Sequence, residues 1–293
     1  MPPVIVHLID GTYELFRHFY GLRRFTKGND RPFGAVAGVL GTVLQMIEEG
    51  ATHLGVATDH VIESFRNELW SGYKTGEGIE PALLAQFHPL EDALGAMGIA
   101  VWPMIELEAD DAMASAAAIS SEDDRVQKVC IWTPDKDLAQ CVREDRIVQV
   151  DRKSNAIRNA AGVQAKFGVT PARIPDYLAL VGDSADGFPG LEGWGPKGAS
   201  LILSEYSHFE NIPKDWRKCP SSIRGAQRLA GVLFEQWNDA VLYRILATLR
   251  QDVPVIETVD ELHWKGPRAE FEEYSKRIQL PGLYTRAKAA VKS

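Results

Sequence analysis

Cysteine is scarce. The three present, Cys130, Cys141 and Cys219, match neither a zinc spacing nor a disulfide framework. That excludes a stapled secreted scaffold and points to a reducing cytoplasm. Long apolar runs are missing too: the longest, such as Ala112 to Ile119, fall far short of a membrane span. The opening PPVIVHLID carries no basic leader and no small-residue cleavage site, so no secretory signal is read. Basic charge is in deficit, with 32 Lys and Arg against 40 Asp and Glu and a net charge of −8. Alone, this speaks against a nucleic-acid binder, whose phosphate contacts need cations. The inference weakens if many acids share one metal site, where bound cations offset them. The chain also lacks internal repeats and low-complexity tracts.

What is there suits a soluble protein with a real core: 45% hydrophobic and 25% charged residues over 293 positions. Residues 4–9, 52–58, 99–102, 128–133 and 147–150 read as strands, most of them short apolar runs. Helical spacing occupies the intervals, at 13–22, 33–49 and 81–97 and from about 109 to 120. A polar, turn-rich loop is expected at 27–31. Strand–helix alternation up to about residue 150 predicts a mainly parallel sheet with helices on both faces. Beyond residue 151 the composition turns helical, so we expect an α/β core over 1–165 and a helical region over 166–293.

Acids gather where such a sheet binds ligands, beyond the carboxyl ends of its strands. Asp10, Asp59 and Asp135 each follow a strand directly, and Asp137 follows two residues later. Glu108, Asp110 and Asp111 open a helix. A helix dipole explains one or two acids in a first turn, and an Asx turn explains one aspartate at Asp135. Four acids in six residues (106–111), joined by acids from other segments, exceed both accounts. Crowded carboxylates repel and call for cations. An oxygen-only donor set favours Mg²⁺ or Mn²⁺ over zinc. Two such ions about 3.5–4 Å apart clamp the attacking and leaving oxygens of an in-line phosphodiester hydrolysis.

A second constellation lies at 181–203, where Asp183 and Asp186 precede a glycine-punctuated hairpin and a helix with Lys197 in its first turn. Gly190, Gly193 and Gly195 allow tight turning, and amides before a helix N-terminus offer a phosphate seat. The alternative is an ordinary glycine turn between helices. Between Phe65-Arg66 and Tyr73-Lys74, aromatic and basic residues interleave, as suits a single nucleic-acid strand. The alternative there is a helix with aromatics turned inward and basic residues solvated.

The chain resembles the bacterial and phage 5′-nuclease (flap endonuclease) family, which includes the N-terminal nuclease domain of bacterial DNA polymerase I. The resemblance covers nearly its whole length. It rests on Ile9-Asp10-Gly11, Thr58-Asp59, Glu108-Ala-Asp110-Asp111, Thr133-Pro-Asp135-Lys-Asp137-Leu138 and Gly182-Asp183-Ser-Ala-Asp186, in the family's order and spacing. It implies a resolvase-like (PIN-like) core with a helical arch at about 64–90 and a helix-three-turn-helix DNA-binding element at about 171–206. It implies one ion held by Asp10, Asp59, Glu108, Asp110 and Asp135, and a second by Asp137, Asp183 and Asp186, with Asp111 less clearly placed. The hairpin glycines and Lys197 would hold duplex DNA with a potassium ion, and Tyr73, Arg66 and Lys74 would belong to the arch, the two basic residues acting in catalysis. The implied substrates are 5′-flap, nicked or branched duplexes. The chain would then be a cytoplasmic monomer without a polymerase domain of its own, working beside a separate DNA polymerase.

Two departures stand out. Thr75-Gly76-Glu77 follows Lys74 where the family has a nearby arginine, and Ala185-Asp186-Gly187 replaces its Ser-Asp-Asn. A DNA-junction-binding paralogue with little catalysis is therefore the main alternative. A PIN-type RNase would be shorter and lack the second helical region, and a small-phosphoester phosphatase has no use for the hairpin or the interleaved segment.

Overall fold

The computed structural model describes residues 3–26, 32–219 and 225–291; the loop expected at 27–31 lies outside them. In chain order the elements are β1 (Val4–Asp10), α1 (Gly11–Thr26), α2 (Gly34–Glu48), β2 (His53–Asp59), α3 (Phe65–Leu69), α4 (Pro81–Leu84), α5 (Phe87–Ala96), β3 (Ala100–Met104), α6 (Ala109–Glu122) and β4 (Val126–Trp132). Then come β5 (Ile147–Val150), β6 (Ile157–Arg158), α7 (Ala160–Phe167), α8 (Ile174–Val181), α9 (Pro196–Tyr206), α10 (Ala226–Glu235), α11 (Trp237–Ala247), α12 (Glu270–Arg277) and α13 (Gly282–Ala290). They divide into two compact units. A sheet unit comprises Met1–Ile62, Gly76–Thr133 and Arg250–Ser293, and a helical unit comprises Glu63–Thr75 and Pro134–Leu249. This partition differs from a single cut at 165/166: residues 134–165 join the helical unit and the last segment returns to the sheet unit.

In the sheet unit, β1 to β4 are parallel in the order β3-β2-β1-β4. The first six residues of β2 are buried, the pattern of a strand covered on both faces. The apolar face of α2 (Val36, Leu40, Val43, Leu44 and Ile47) is wholly buried, as its spacing requires. The C-terminal segment closes the same core. Trp264 Nε1 donates to the Met97 carbonyl at 2.9 Å and the Tyr274 hydroxyl to that of Pro89 at 2.6 Å.

The single helix expected at 81–97 is broken into α4 and α5. At the break, Gln86 turns its side-chain oxygen toward α2 and accepts from the amides of Ala35 at 3.1 Å and Val36 at 3.3 Å. The N-cap of α2 is Phe33, which has no side-chain acceptor, so Gln86 supplies the missing cap from a distance. Periodicity along 81–97 carries no sign of that demand.

The helical unit buries Phe167, Leu178, Trp194, Phe209, Tyr243 and Leu246 in one core, flanked by the antiparallel pair β5–β6. Residues 63–75 belong to it. Within the expected arch, α3 spans five residues and is capped by Ser64, whose hydroxyl accepts from the Arg66 amide. At 174–206 the chain runs through α8, a tight hairpin and α9. Asp183 and Phe188 exchange backbone hydrogen bonds of 2.8 and 3.1 Å, and the Leu191 amide donates to the Leu180 carbonyl at 2.9 Å. Gly182 (φ 82°) and Gly190 (φ 71°) meet where these strands cross. A Cβ on Gly190 would stand 2.3 Å from the Gly182 nitrogen, and one on Gly182 would stand 2.4 Å from the Pro189 carbonyl carbon. Only two glycines let the backbone cross here.

Candidate functional site

The sheet unit presents its acids at neighbouring strand ends. Asp10 closes β1, and its two oxygens accept from the Tyr13 amide at 2.8 Å and the Thr133 hydroxyl at 3.0 Å. Asp59 closes β2, which lies beside β1 with Ala57 opposite Asp10. Its Oδ1 accepts from the Ala109 amide at 2.9 Å, and its own amide donates to Thr12 Oγ1 at 2.8 Å. The first bond ties Asp59 to the start of α6, where Glu108 is the N-cap and Asp110 lies half-buried in the first turn.

Asp111 does something else. It is fully buried, its Oδ2 accepting from the Glu108 amide at 3.1 Å and its Oδ1 from the Arg250 amide at 2.9 Å. Both oxygens serve the backbone, so the expectation of a metal ligand is corrected: Asp111 positions Glu108 and anchors the returning C-terminal segment. A residue unmarked in the sequence acts similarly. Glu91, buried on α5, accepts from the Thr58 hydroxyl at 2.8 Å and is 2.7 Å from His60 Nδ1, holding the two residues that flank Asp59. A lone glutamate on an amphipathic helix gives no signal of this.

The helical unit brings its own acids together. One carboxylate oxygen from each of Asp137, Asp183 and Asp186 lies within 4.8 Å of the others, and all three residues are buried. Asp135 stands two residues before Asp137 and accepts from its amide at 3.0 Å. Asp183 accepts from the Ala185 amide at 2.9 Å on one oxygen and meets Lys136 Nζ at 2.8 Å on the other. Asp186 pairs with Lys74 Nζ at 3.3 Å. Lys136 was in plain view between Asp135 and Asp137, but its neighbours in sequence do not reveal that it turns to Asp183. Three carboxylates this close and this buried are stable only with positive charge among them. Their oxygen-only donor set fits a hard divalent cation.

Two expected contacts with nucleic acid are corrected. Arg66 is fully buried, its Nε donating to the Leu246 carbonyl at 2.8 Å and Nη2 to the Thr248 carbonyl at 3.1 Å, so no phosphate reaches it in this fold. Tyr73 is 3% exposed within the helical core and offers no face for a base to stack on. Lys74, by contrast, keeps 27% of its side chain exposed. Lys197 is solvent-exposed in the first turn of α9, whose N-cap is Gly195. Gly193 turns at φ 74°.

Family models match in two adjoining stretches: the 5′-3′ exonuclease N-terminal resolvase-like domain over residues 5–168 and the 5′-3′ exonuclease C-terminal SAM fold over 169–270. The 5′-3′ exonuclease of Aquifex aeolicus is 35% identical over 267 residues, covering 89% of this chain and 87% of that protein. DNA polymerase I of Pseudomonas aeruginosa is 34% identical over 292 residues, or 97% of this chain, but the chain spans only 32% of the polymerase's length. Among solved structures, a T5 5′-exonuclease with bound zinc superposes with a TM-score of 0.66 at 21% identity, covering 94% of this chain and 98% of that one. The catalytic core of Rad2 in complex with DNA substrate superposes at 0.62 with 15% identity, covering 98% and 92%. These two likenesses establish the fold.

Proposed function

Because the chain belongs to the 5′-3′ exonuclease family, we propose that it cuts DNA at 5′ ends and 5′ flaps by cation-dependent hydrolysis of the phosphodiester. The observation that carries this reading is the buried triplet Asp137, Asp183 and Asp186. Such a concentration of negative charge has no structural use that a smaller number of acids would not meet.

Asp10, Asp59, Glu108, Asp110 and Asp135 are the ligands of one Mg²⁺ or Mn²⁺ ion, and Asp137, Asp183 and Asp186 those of a second. When bound, the ions supply an activated water and neutralise charge on the phosphodiester. The protein groups do the rest. Thr133 and the Tyr13 amide aim Asp10. Thr12, the Ala109 amide and the residues braced by Glu91 aim Asp59. Lys74 offsets negative charge that develops on the phosphate, and the hairpin with Lys197 seats duplex phosphates without reading base sequence. A potassium ion at that hairpin, a monomeric state, a separate polymerase as partner and a cytoplasmic setting complete the reading. It is consistent with the described residues, none of whose helices is long and apolar enough to cross a membrane.

A labelled 5′-flap duplex with Mg²⁺, run beside single-stranded RNA and a small phosphoester, tests the proposal. Cleavage of the flap alone, abolished by chelator and by Asp135→Ala with binding retained, is the expected result. Binding without cleavage at any divalent ion would establish a junction-binding protein instead.

A further inference from the structure

Lys136 is the residue that neither the sequence motif nor the proposed mechanism absorbs. Its ammonium is 2.8 Å from Asp183 Oδ2, and the Asp183 side chain is only 1% exposed. The other Asp183 oxygen is occupied by the Ala185 amide at 2.9 Å. Oδ2 is therefore the oxygen Asp183 has to give to a cation, and Lys136 holds it. The Lys136 side chain is 32% exposed and lines a cleft of about 380 Å³ with Gly182, Ser184 and Gly187, so the ammonium has room to leave without unfolding.

We propose that Lys136 is an internal counter-ion that competes with a divalent cation for Asp183. With it in place, the triplet Asp137, Asp183 and Asp186 is partly neutralised, and Lys74 on Asp186 adds a second positive charge. The cluster is thereby kept tolerable in the absence of metal, and the second cation binds more weakly than three buried carboxylates would otherwise bind it. The open cleft beside Lys136 is where its freed charge meets a phosphate oxygen of the substrate. This inference rests on reading the triplet as cation ligands.

The test titrates Mn²⁺ alone, without DNA, into the full-length protein, following free Mn²⁺ by electron paramagnetic resonance. Four proteins are compared: wild type, Lys136→Met, Lys136→Arg and Asp183→Asn. Removing a charge-assisted contact that a cation must break should tighten one Mn²⁺ site about tenfold in Lys136→Met. Lys136→Arg, which keeps the charge, should stay within about threefold of wild type. The tightening should vanish in the double variant Lys136→Met/Asp183→Asn. Thermal melts give a second readout. Lys136→Met should melt below wild type without metal and gain more than wild type when Mn²⁺ is added. If Lys136→Met does not fold without the cation, Lys136→Gln is read in its place. Unchanged or weaker Mn²⁺ binding in the Met variant overturns the counter-ion role. An Asp183→Asn protein that binds as many ions as wild type, and as tightly, overturns instead the reading of the triplet as a cation site.

Discussion

Replacing Arg66 by alanine separates a structural arginine from a catalytic one. Its guanidinium is fully buried, and through Leu246 and Thr248 it reaches two carbonyls at the C-terminal end of α11. Those carbonyls are orphans of the helix end and need donors. Each hydrogen bond from a charged donor contributes about 1.5–3 kcal/mol, and the buried stem adds packing that alanine forfeits. Local relaxation recovers part of this, so a net loss of about 3 kcal/mol is expected. For a protein of this size each kcal/mol lowers the melting temperature by about 2–4 °C, which predicts a fall of roughly 6–12 °C. Arg66→Lys should recover only part of the loss, because one ammonium does not reproduce a planar fork aimed at two acceptors. The assay is a calorimetric melt beside single-turnover flap cleavage measured well below the transition. Cleavage per folded molecule should stay within a few-fold of wild type. A melting temperature within about 1 °C of wild type, together with cleavage lost by about a hundredfold, would refute the structural assignment and return Arg66 to the chemistry.

Three further outcomes follow from the same coordinates. Lys74→Ala should lower the single-turnover rate by roughly a hundredfold, the scale for losing one electrostatic donor, while duplex affinity holds; a rate within threefold of wild type rejects the role. Gly190→Ala should cost about 2–3 kcal/mol, measured by chemical denaturation, because its Cβ meets the Gly182 nitrogen at 2.3 Å and φ is 71°. Gly193→Val meets only the movable Arg228 guanidinium at 2.5 Å, so it should melt closer to wild type and lose duplex affinity instead, equally for all sequences. Burial pushes the Cys130 thiol up to about 11, only partly opposed by Lys128. At pH 8 roughly one in a thousand is then thiolate, so native alkylation read by mass spectrometry should mark the half-buried Cys219 and spare Cys130.

The strands, most of the helices and the positions of the acids were legible because each depends on local pattern. Apolar runs ending in Asp10 and Asp59 announce buried parallel strands with carboxylates at their ends, and β1 and β2 bear this out. The jobs of individual polar residues were not legible, because those depend on partners far away in sequence. Asp111 and Asp110 are adjacent acids in one turn, yet the Arg250 amide, 139 positions on, gives Asp111 a structural task. Arg66 likewise resembled a surface cation because its acceptors lie 180 and 182 positions away. The same limit explains the split helix at Gln86, whose acceptor oxygen answers a need of α2 some 50 positions earlier. A motif thus identifies which carboxylates are gathered, while the hydrogen bonds decide which of them remain available to a cation. By that criterion Asp111 is withdrawn from the ligand set. Asp183 stays in it, with an oxygen lent to Lys136 rather than fixed to backbone. An ion pair to a movable side chain is reversible at little structural cost, whereas a pair of backbone bonds is not.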